Sequence, residues 1–227
     1  MSVEVIVVTG GDPTVPGLLD RLPRDATVIA ADSGLGVAMR LGLRVDLVVG
    51  DLDSVDPVAL AAVERAGVPV ERHPVAKDRT DLAIAVDAAA RLAPGRIVVV
   101  GGDGGRLDHF LGNALLLASP EYAGQEIEAH MGHARVQVVR DSADLEGSPG
   151  TIVSLLPAHG RARGVRTTGL AYPLIDEDLP PGSTRGISNE MTGSRAHVTV
   201  EDGTVLAVSP GSLDPGATRP RSEGEPR

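Results

Sequence analysis

The chain contains no cysteine, which excludes disulfides, thiolate metal sites and a cysteine nucleophile and fits a reducing compartment. It has no tryptophan, one phenylalanine and two tyrosines, so aromatic stacking surfaces are scarce. Lysine is nearly absent: Lys77 stands alone in a basic complement otherwise made of arginine. Basic side chains as a class are short, 21 against 31 acidic ones, for a net charge of -10. That balance argues against a nucleic-acid partner, because a phosphate backbone needs clustered Lys and Arg. Long hydrophobic runs are missing too. The opening MSVEVIVVTGG is too short to span a membrane and has no basic stretch before it, so it reads as a first strand, not a leader or an anchor. A cytoplasmic protein is expected.

What is present is a chain of 227 residues, 42% of them hydrophobic, enough for one large domain or two small ones. The first half alternates β-branched runs with Ala- and Leu-rich stretches. Strands are predicted at Val3 to Val8, Thr27 to Ala31, Asp46 to Val49, Val68 to Arg72 and Arg96 to Val100. Helices are predicted at Pro16 to Leu22, Leu35 to Leu41, Pro57 to Ala66, Asp81 to Leu92 and Leu107 to Ala118. Strands apolar on both faces, separated by helices, predict an α/β N-terminal domain over residues 1–122 whose mostly parallel sheet is covered by helices. After Tyr122 the segments Glu126 to His130, Ala134 to Arg140, Thr151 to Pro157 and Ala196 to Val200 are short and separated by turn signals. They predict an antiparallel β-sandwich or barrel-like C-terminal domain over 123–209. The Pro-, Gly- and charge-rich end, 210–227, is expected to be a disordered tail.

The carboxyl edge of such a sheet is where ligands sit, and here it is acidic. Asp32 follows the second strand, Asp51 and Asp53 of GDLDS the third, Lys77, Asp78 and Asp81 of KDRTD the fourth, and Asp103 and Asp108 the fifth. Crowded carboxylates repel one another unless a cation lies among them, and a hard divalent ion such as Mg²⁺ takes oxygen ligands. The i,i+3 spacing of Asp78 and Asp81 would bring both to one face of a helix's first turn. Asp46 and Asp56, by contrast, read as turn and cap residues. In GGDGGRLDH the glycines would let backbone N–H groups approach a ligand, with Arg106 as a permanent cation suited to phosphate. The chain has no GxxxxGK[ST] loop, and GLGVAM at Gly34 to Met39 lacks the third glycine of a dinucleotide fingerprint and reads as a capped helix start.

In their order and separations, ADSG, GDLDS, KDRTD and GGRLDHFLGN resemble the motif series of the thiamine pyrophosphokinase family, and GISNE at Gly186 to Glu190 is similar to its Ser-Asn motif. The resemblance covers about residues 5 to 208. It implies transfer of a pyrophosphoryl group from ATP to the hydroxyl of thiamine, Mg²⁺ as cofactor, and a homodimer with active sites between subunits. Carried over by position, Asp51, Asp53, Asp78 and Asp81 would be catalytic, with Asp51, Asp53 and Asp81 on the metal. Asp32, Lys77, Thr80, Arg106, Asp108, His109 and Asn113 would bind ATP, while Ser188 and Asn189 would contact thiamine. Some members of the family stack an aromatic ring on thiamine; Ala207 and its neighbours offer none, and Tyr172 is the substitute at hand.

Three other readings stay open at this point. The acceptor could be another primary alcohol, such as a hydroxymethylpterin. DLDSV also resembles the DxDxV of haloacid dehalogenase phosphatases, where Asp51 would be a nucleophile forming an aspartyl phosphate, although that reading leaves GGRLDH and GISNE without a role. The third is a non-catalytic nucleotide sensor.

Overall fold

The computed structural model describes residues 3–11 and 17–211. The start of the helix predicted at Pro16 to Leu22 and, from residue 212 on, the tail expected to be disordered lie outside the described residues. Within the former segment Leu19–Arg21 forms a single 3₁₀ turn.

The chain divides into two compact units, the first running to Gly132 with Val136–Val138, the second holding His133–Arg135 and the residues from Val139 on. In the first, strands β1 (Glu4–Val8), β2 (Thr27–Ala31), β3 (Leu47–Gly50), β4 (Val70–Arg72), β5 (Arg96–Val100) and β6 (Ile127–Met131) are ordered β4-β3-β2-β1-β5-β6. Every pairing along this path is parallel. Val5, Val7, Ile29, Val48, Val49 and Val99 are fully buried, as continuous apolar runs covered on both faces should be. The connecting helices are α1 (Gly34–Arg40), α2 (Pro57–Arg65), α3 (Asp81–Arg91) and α4 (Leu107–Leu117). Asp56 caps α2 by accepting from the Val58 and Ala59 N–H groups at 2.7 and 3.4 Å, the structural role its place before Pro57 predicts. Ser33 makes no side-chain cap on α1, so GLGVAM starts its helix without the cap expected of it.

One strand departs from expectation. Glu126 to His130 was predicted to open the antiparallel half, yet Ile127–Met131 pairs parallel with β5 as the sixth strand of the first sheet. Its alternating IEAHM sequence imitates a half-exposed strand. All five residues are nevertheless buried, with His130 Nε2 set 3.0 Å from Glu128 Oε1 on the same face. Two buried polar side chains set side by side are what hides the parallel-sheet signature.

Strand β7 (Ala134–Val139) is divided between the units. The second unit is antiparallel throughout: β8 (Ser142–Glu146), β9 (Ile152–Thr168), β10 (Glu177–Leu179), β11 (Asn189–Glu190), β12 (Arg195–Thr199) and β13 (Asp202–Ser209). The 17-residue β9 organises it, pairing with β10, β11, β12 and β13. Val153, Leu155, Val165, Leu179, Val198 and Val205 close its apolar core. The segment predicted to end at Pro157 continues because left-handed residues at His159 and Gly164 let the strand change partners without stopping.

Candidate active site

The parallel strands deliver their carboxyl ends to one edge, and the local backbone there is built for crowding. Asp32 follows β2 with φ 48 and Leu52 separates the two aspartates after β3 with φ 64, a left-handed conformation uncommon outside glycine. Gly50, at φ 141, ends β3. A Cβ on it would stand 2.9 Å from Asp81 Oδ1 and 3.2 Å from Asp32 Cβ. Only a residue without a side chain lets those two carboxylates pass the end of the strand.

One ligand oxygen from each of Asp32, Asp51 and Asp53 lies within 4.8 Å of the others. Lys77 Nζ donates to Asp51 Oδ2 at 2.5 Å and pairs with Asp81 Oδ1 at 3.1 Å. The Asp51 N–H also donates to Asp81 Oδ1, at 3.3 Å, and the Asp53 N–H to Asp51 Oδ1, at 3.3 Å. Ser54 Oγ donates to Asp53 Oδ1 at 2.8 Å. The Lys77 hydrogen bond holds the Asp51 carboxyl below the usual carboxylate range. Burial draws the Lys77 ammonium down, but its bonds to Asp51 and Asp81 outweigh this and leave it above its ordinary value. Asp32 moves the other way: burial pushes it up, the Ser33 backbone N–H opposes this, and Asp81, Asp51 and Asp53 add to the rise.

Four carboxylates against one ammonium leave the cluster strongly negative. The oxygens of two ligands on one Mg²⁺ lie about 3 to 4 Å apart, given Mg–O distances of about 2.1 Å, so a spread of 4.8 Å is close to closing on such an ion. Asp32 Oδ1, moreover, is buried without a hydrogen-bond partner, and hard oxygen donors are what the ion prefers. The residues fit a divalent cation.

A second group surrounds a cleft of ≈ 350 Å³, lined by Asp78, Arg79, Thr80, Asp108, His109 and Asn113 among others. It takes in five of the residues predicted from the sequence to act at ATP or in catalysis. Arg106 is turned instead onto Asp108, at 3.2 and 2.5 Å, which lowers the Asp108 carboxyl and raises the guanidinium. Of the GGDGG backbone, the Gly102 N–H is spent on Gly10 O at 2.7 Å and that of Gly105 on Asp103 O at 2.6 Å. Asp78 and Asp81 do not share a helix face. Thr80 is the N-cap of α3, accepting from the Ala83 N–H at 3.2 Å, so Asp81 begins the helix inside the carboxylate cluster while Asp78 precedes it on the cleft wall.

Sequence reasoning missed Arg79. Its Nη2 reaches Asp87 Oδ1 at 3.0 Å, Glu121 Oε2 at 3.4 Å and the Tyr122 hydroxyl at 3.0 Å, and Tyr122 donates onward to Asp87 Oδ1 at 2.8 Å. Burial and the Asp87 hydrogen bond push the Tyr122 hydroxyl up, so it stays protonated. In an arginine-rich chain only its place inside KDRTD could have singled Arg79 out. Tyr122→Phe leaves Asp87 and Arg79 short of a buried partner and is expected to lower stability by about 1–2 kcal/mol, read as a shift in urea midpoint at constant slope.

In the second unit, Ser188 is exposed at φ 54, its N–H donating to Ser154 Oγ at 3.1 Å. Asn189 is buried and works inward. Its Oδ1 accepts from the Tyr172 and Glu190 N–H groups at 3.0 and 2.9 Å, and its Nδ2 donates to Tyr172 O at 2.7 Å. It therefore clamps the Tyr172 segment from beneath. Tyr172 itself is 56% exposed, a ring held out by a fixed backbone.

Residues 20–129 match the family model described as the catalytic domain of thiamin pyrophosphokinase, and residues 137–205 that of its vitamin B1 binding domain. A thiamine pyrophosphokinase of Bacillus subtilis is 28% identical over 205 residues, 89% of this chain and 96% of that protein. The crystal structure of a Bacillus subtilis thiamine pyrophosphokinase superposes with a TM-score of 0.79, covering 91% of this chain and 98% of the other at 28% identity. That of the enzyme from Geobacillus thermodenitrificans gives 0.76 at 28% identity, covering 90% and 96%. The thiamin pyrophosphokinase of Candida albicans, 16% identical, shares the fold at 0.74, covering 91% and 88%.

Proposed function

Because the chain belongs to the thiamine pyrophosphokinase family, we propose that it transfers the β,γ-pyrophosphoryl group of ATP to the hydroxyl of thiamine, giving thiamine diphosphate and AMP. The observation that carries the reading is the convergence of Asp32, Asp51 and Asp53 beside Lys77, itself held between Asp51 and Asp81. Phosphoryl transfers need charge neutralisation and in-line positioning more than a covalent nucleophile. The matched models and relatives give no support to the phosphatase or to a pterin acceptor.

Asp51 and Asp53, joined by Asp32 from the same cluster, are the residues we assign to Mg²⁺, which when bound would neutralise the phosphates of ATP; Asp81, expected on the metal from the family's pattern, stands beside them on Lys77. Lys77 presents a compact ammonium to the same phosphates. The cleft lined by Asp78, Thr80, Asp108, His109 and Asn113 takes the nucleotide end, with Arg106 at its margin. The thiamine hydroxyl attacks the β-phosphorus, the bond from that phosphorus to the oxygen of AMP breaks, and Asp81 receives the hydroxyl proton. Ser188 and the Tyr172 segment that Asn189 clamps meet thiamine. The division expected near residue 122 assigns the catalytic work to the α/β part and thiamine binding to a β-sandwich. A homodimer is supported by α4, which leaves Leu107, Leu111 and Leu115 at 70, 52 and 48% exposure on one ridge of i,i+4 spacing; sedimentation of the purified chain reads it. No helix among the described residues is long and apolar enough to cross a membrane.

The test is product analysis with ATP, Mg²⁺ and thiamine. AMP and thiamine diphosphate appearing in equal amounts support the assignment; phosphate released from simple esters without ATP, and no diphosphate, would sink it. With Tyr172→Ala the KM for thiamine is expected to rise about tenfold, the loss of one stacked ring at about 1–3 kcal/mol, while the KM for ATP stays put. Equal movement of both constants would show that the ring does not meet thiamine.

A further inference from the structure

We propose that Asp103 holds the ribose of the nucleotide, its carboxylate accepting hydrogen bonds from the two ribose hydroxyls; this rests on the ATP-dependent transfer proposed above. Asp103 is the acid between the two glycine pairs of GGDGG, and no step of the transfer uses it. From β1 the chain winds outward through β2, β3 and β4, then returns to add β5 and β6 on the other side. The loops that leave β1 and β5 therefore part where the strand order reverses, which is where open α/β sheets hold their ligands. Asp103 lies on the second of these loops, against Gly11 of the first. Its backbone is fixed on both sides: the Thr9 N–H donates to Val100 O at 2.9 Å, the Gly101 N–H to His130 O at 2.9 Å and the Gly102 N–H to Gly10 O at 2.7 Å.

The surroundings leave room for the carboxylate and give it no partner. A Cβ on Gly11 would stand 2.6 Å from Asp103 Oδ1, and one on Gly132 2.6 Å from Oδ2. Both glycines have positive φ, 145 and 58, so no larger residue fits either place without strain. Among the described residues Oδ1 is buried without a hydrogen-bond partner, which is costly unless a ligand supplies the donor. A carboxylate only accepts, and that selects what it can meet on ATP. The triphosphate is repelled and adenine offers a single amine, whereas ribose presents two adjacent hydroxyls, one for each carboxylate oxygen. The cleft that takes the nucleotide end adjoins it, because Asn113 on the cleft wall donates to Gly102 O at 3.4 Å.

The test compares kcat/KM of the full-length protein for ATP, 2′-deoxy-ATP, 3′-deoxy-ATP and inosine triphosphate, with Mg²⁺ and thiamine present throughout. The wild type is expected to prefer ATP over each deoxy analogue by about 10- to 100-fold, the range for a hydroxyl bonded to a charged acceptor. In Asp103→Ala that preference should shrink towards one, while the preference over inosine triphosphate and the KM for thiamine stay put. Asp103→Asn, the second variant should the first not fold, keeps a neutral acceptor about half as strong. It should bring the preference down to about the square root of the wild-type value. A merely structural aspartate would lower turnover of all the nucleotides alike and leave every ratio in place, which overturns the inference, as does a wild type indifferent to the hydroxyls. A change confined to the ratio of ATP to inosine triphosphate would put Asp103 at the base and overturns it too. A wild type that forms no thiamine diphosphate from any of the nucleotides overturns it together with the transfer on which it rests.

Discussion

Asp51→Asn is expected to fold normally and to lose pyrophosphoryl transfer by a factor of about 10³ or more, the upper range for removing a single charge-stabilising group. The magnitude follows from how much converges on one side chain. Its Oδ2 receives Lys77 Nζ, its Oδ1 receives the Asp53 N–H, and one of its oxygens belongs to the set of three within 4.8 Å. An amide placed there loses the charge that any cation would meet, and its NH₂ would face either the Lys77 ammonium or the Asp53 N–H, donor against donor. Folding should be spared, because the substitution removes one negative charge from a cluster that has too many. AMP formation with ATP, Mg²⁺ and thiamine gives the rate, and thermal melting gives the control. A variant that retains turnover within tenfold of wild type would remove the carboxylate cluster from the mechanism.

The largest effect on folding is expected at Gly34, with a loss of about 3 kcal/mol or more for Gly34→Ala, at or above the upper range for overpacking. A Cβ at this position would stand 2.1 Å from Val8 O, 2.6 Å from Val8 C and 2.8 Å from Thr9 Cα. All three are backbone atoms at the end of β1, the strand paired on one side with β2 and on the other with β5, so nothing can yield cheaply. The first turn of α1 thus rests directly on the central strand, next to Asp32. Gly36→Ala, in the same helix, supplies the contrast: its Cβ would meet Arg40 Nη1 at an ordinary 3.6 Å, and a stabilisation of up to about 1 kcal/mol is expected from helix propensity. Urea unfolding of the two variants side by side reads both. Equal effects would mean that the close approach of α1 to β1 does not govern stability.

The first sheet was legible because β1, β2, β3 and β5 are apolar on both faces, a pattern that few other environments produce. β6 was not, because Glu128 and His130 lie buried side by side, 3.0 Å apart, and break the apolar run. In β9 the obstacles were Pro157, Gly160 and Gly164, which read locally as breakers; only the succession of partner strands carries the chain through them. The acidic rim could be read from aspartates that each follow an apolar run. What could not be read was the direction of each carboxylate, which hangs on backbone torsions: Asp78 and Asp81, three residues apart, part company because Thr80 starts the helix between them. Asn189 illustrates the same limit. GISNE marks the segment, but whether an amide faces ligand or backbone is settled by distant chain, here Tyr172.

Lys77 is the one lysine in the sequence, and its Nζ is wedged between Asp51 and Asp81 with its side chain 13% exposed. An amine-reactive reagent consequently has a single side-chain target, and that target is kept protonated and therefore non-nucleophilic by its two neighbours. In the intact protein, acylation should be confined to the N-terminal amino group. A mass increment on the peptide holding residue 77 would then report that the grip of the two aspartates has been broken, by substitution or by a ligand that draws the ammonium away, so the chain carries its own covalent sensor of whether this centre is assembled.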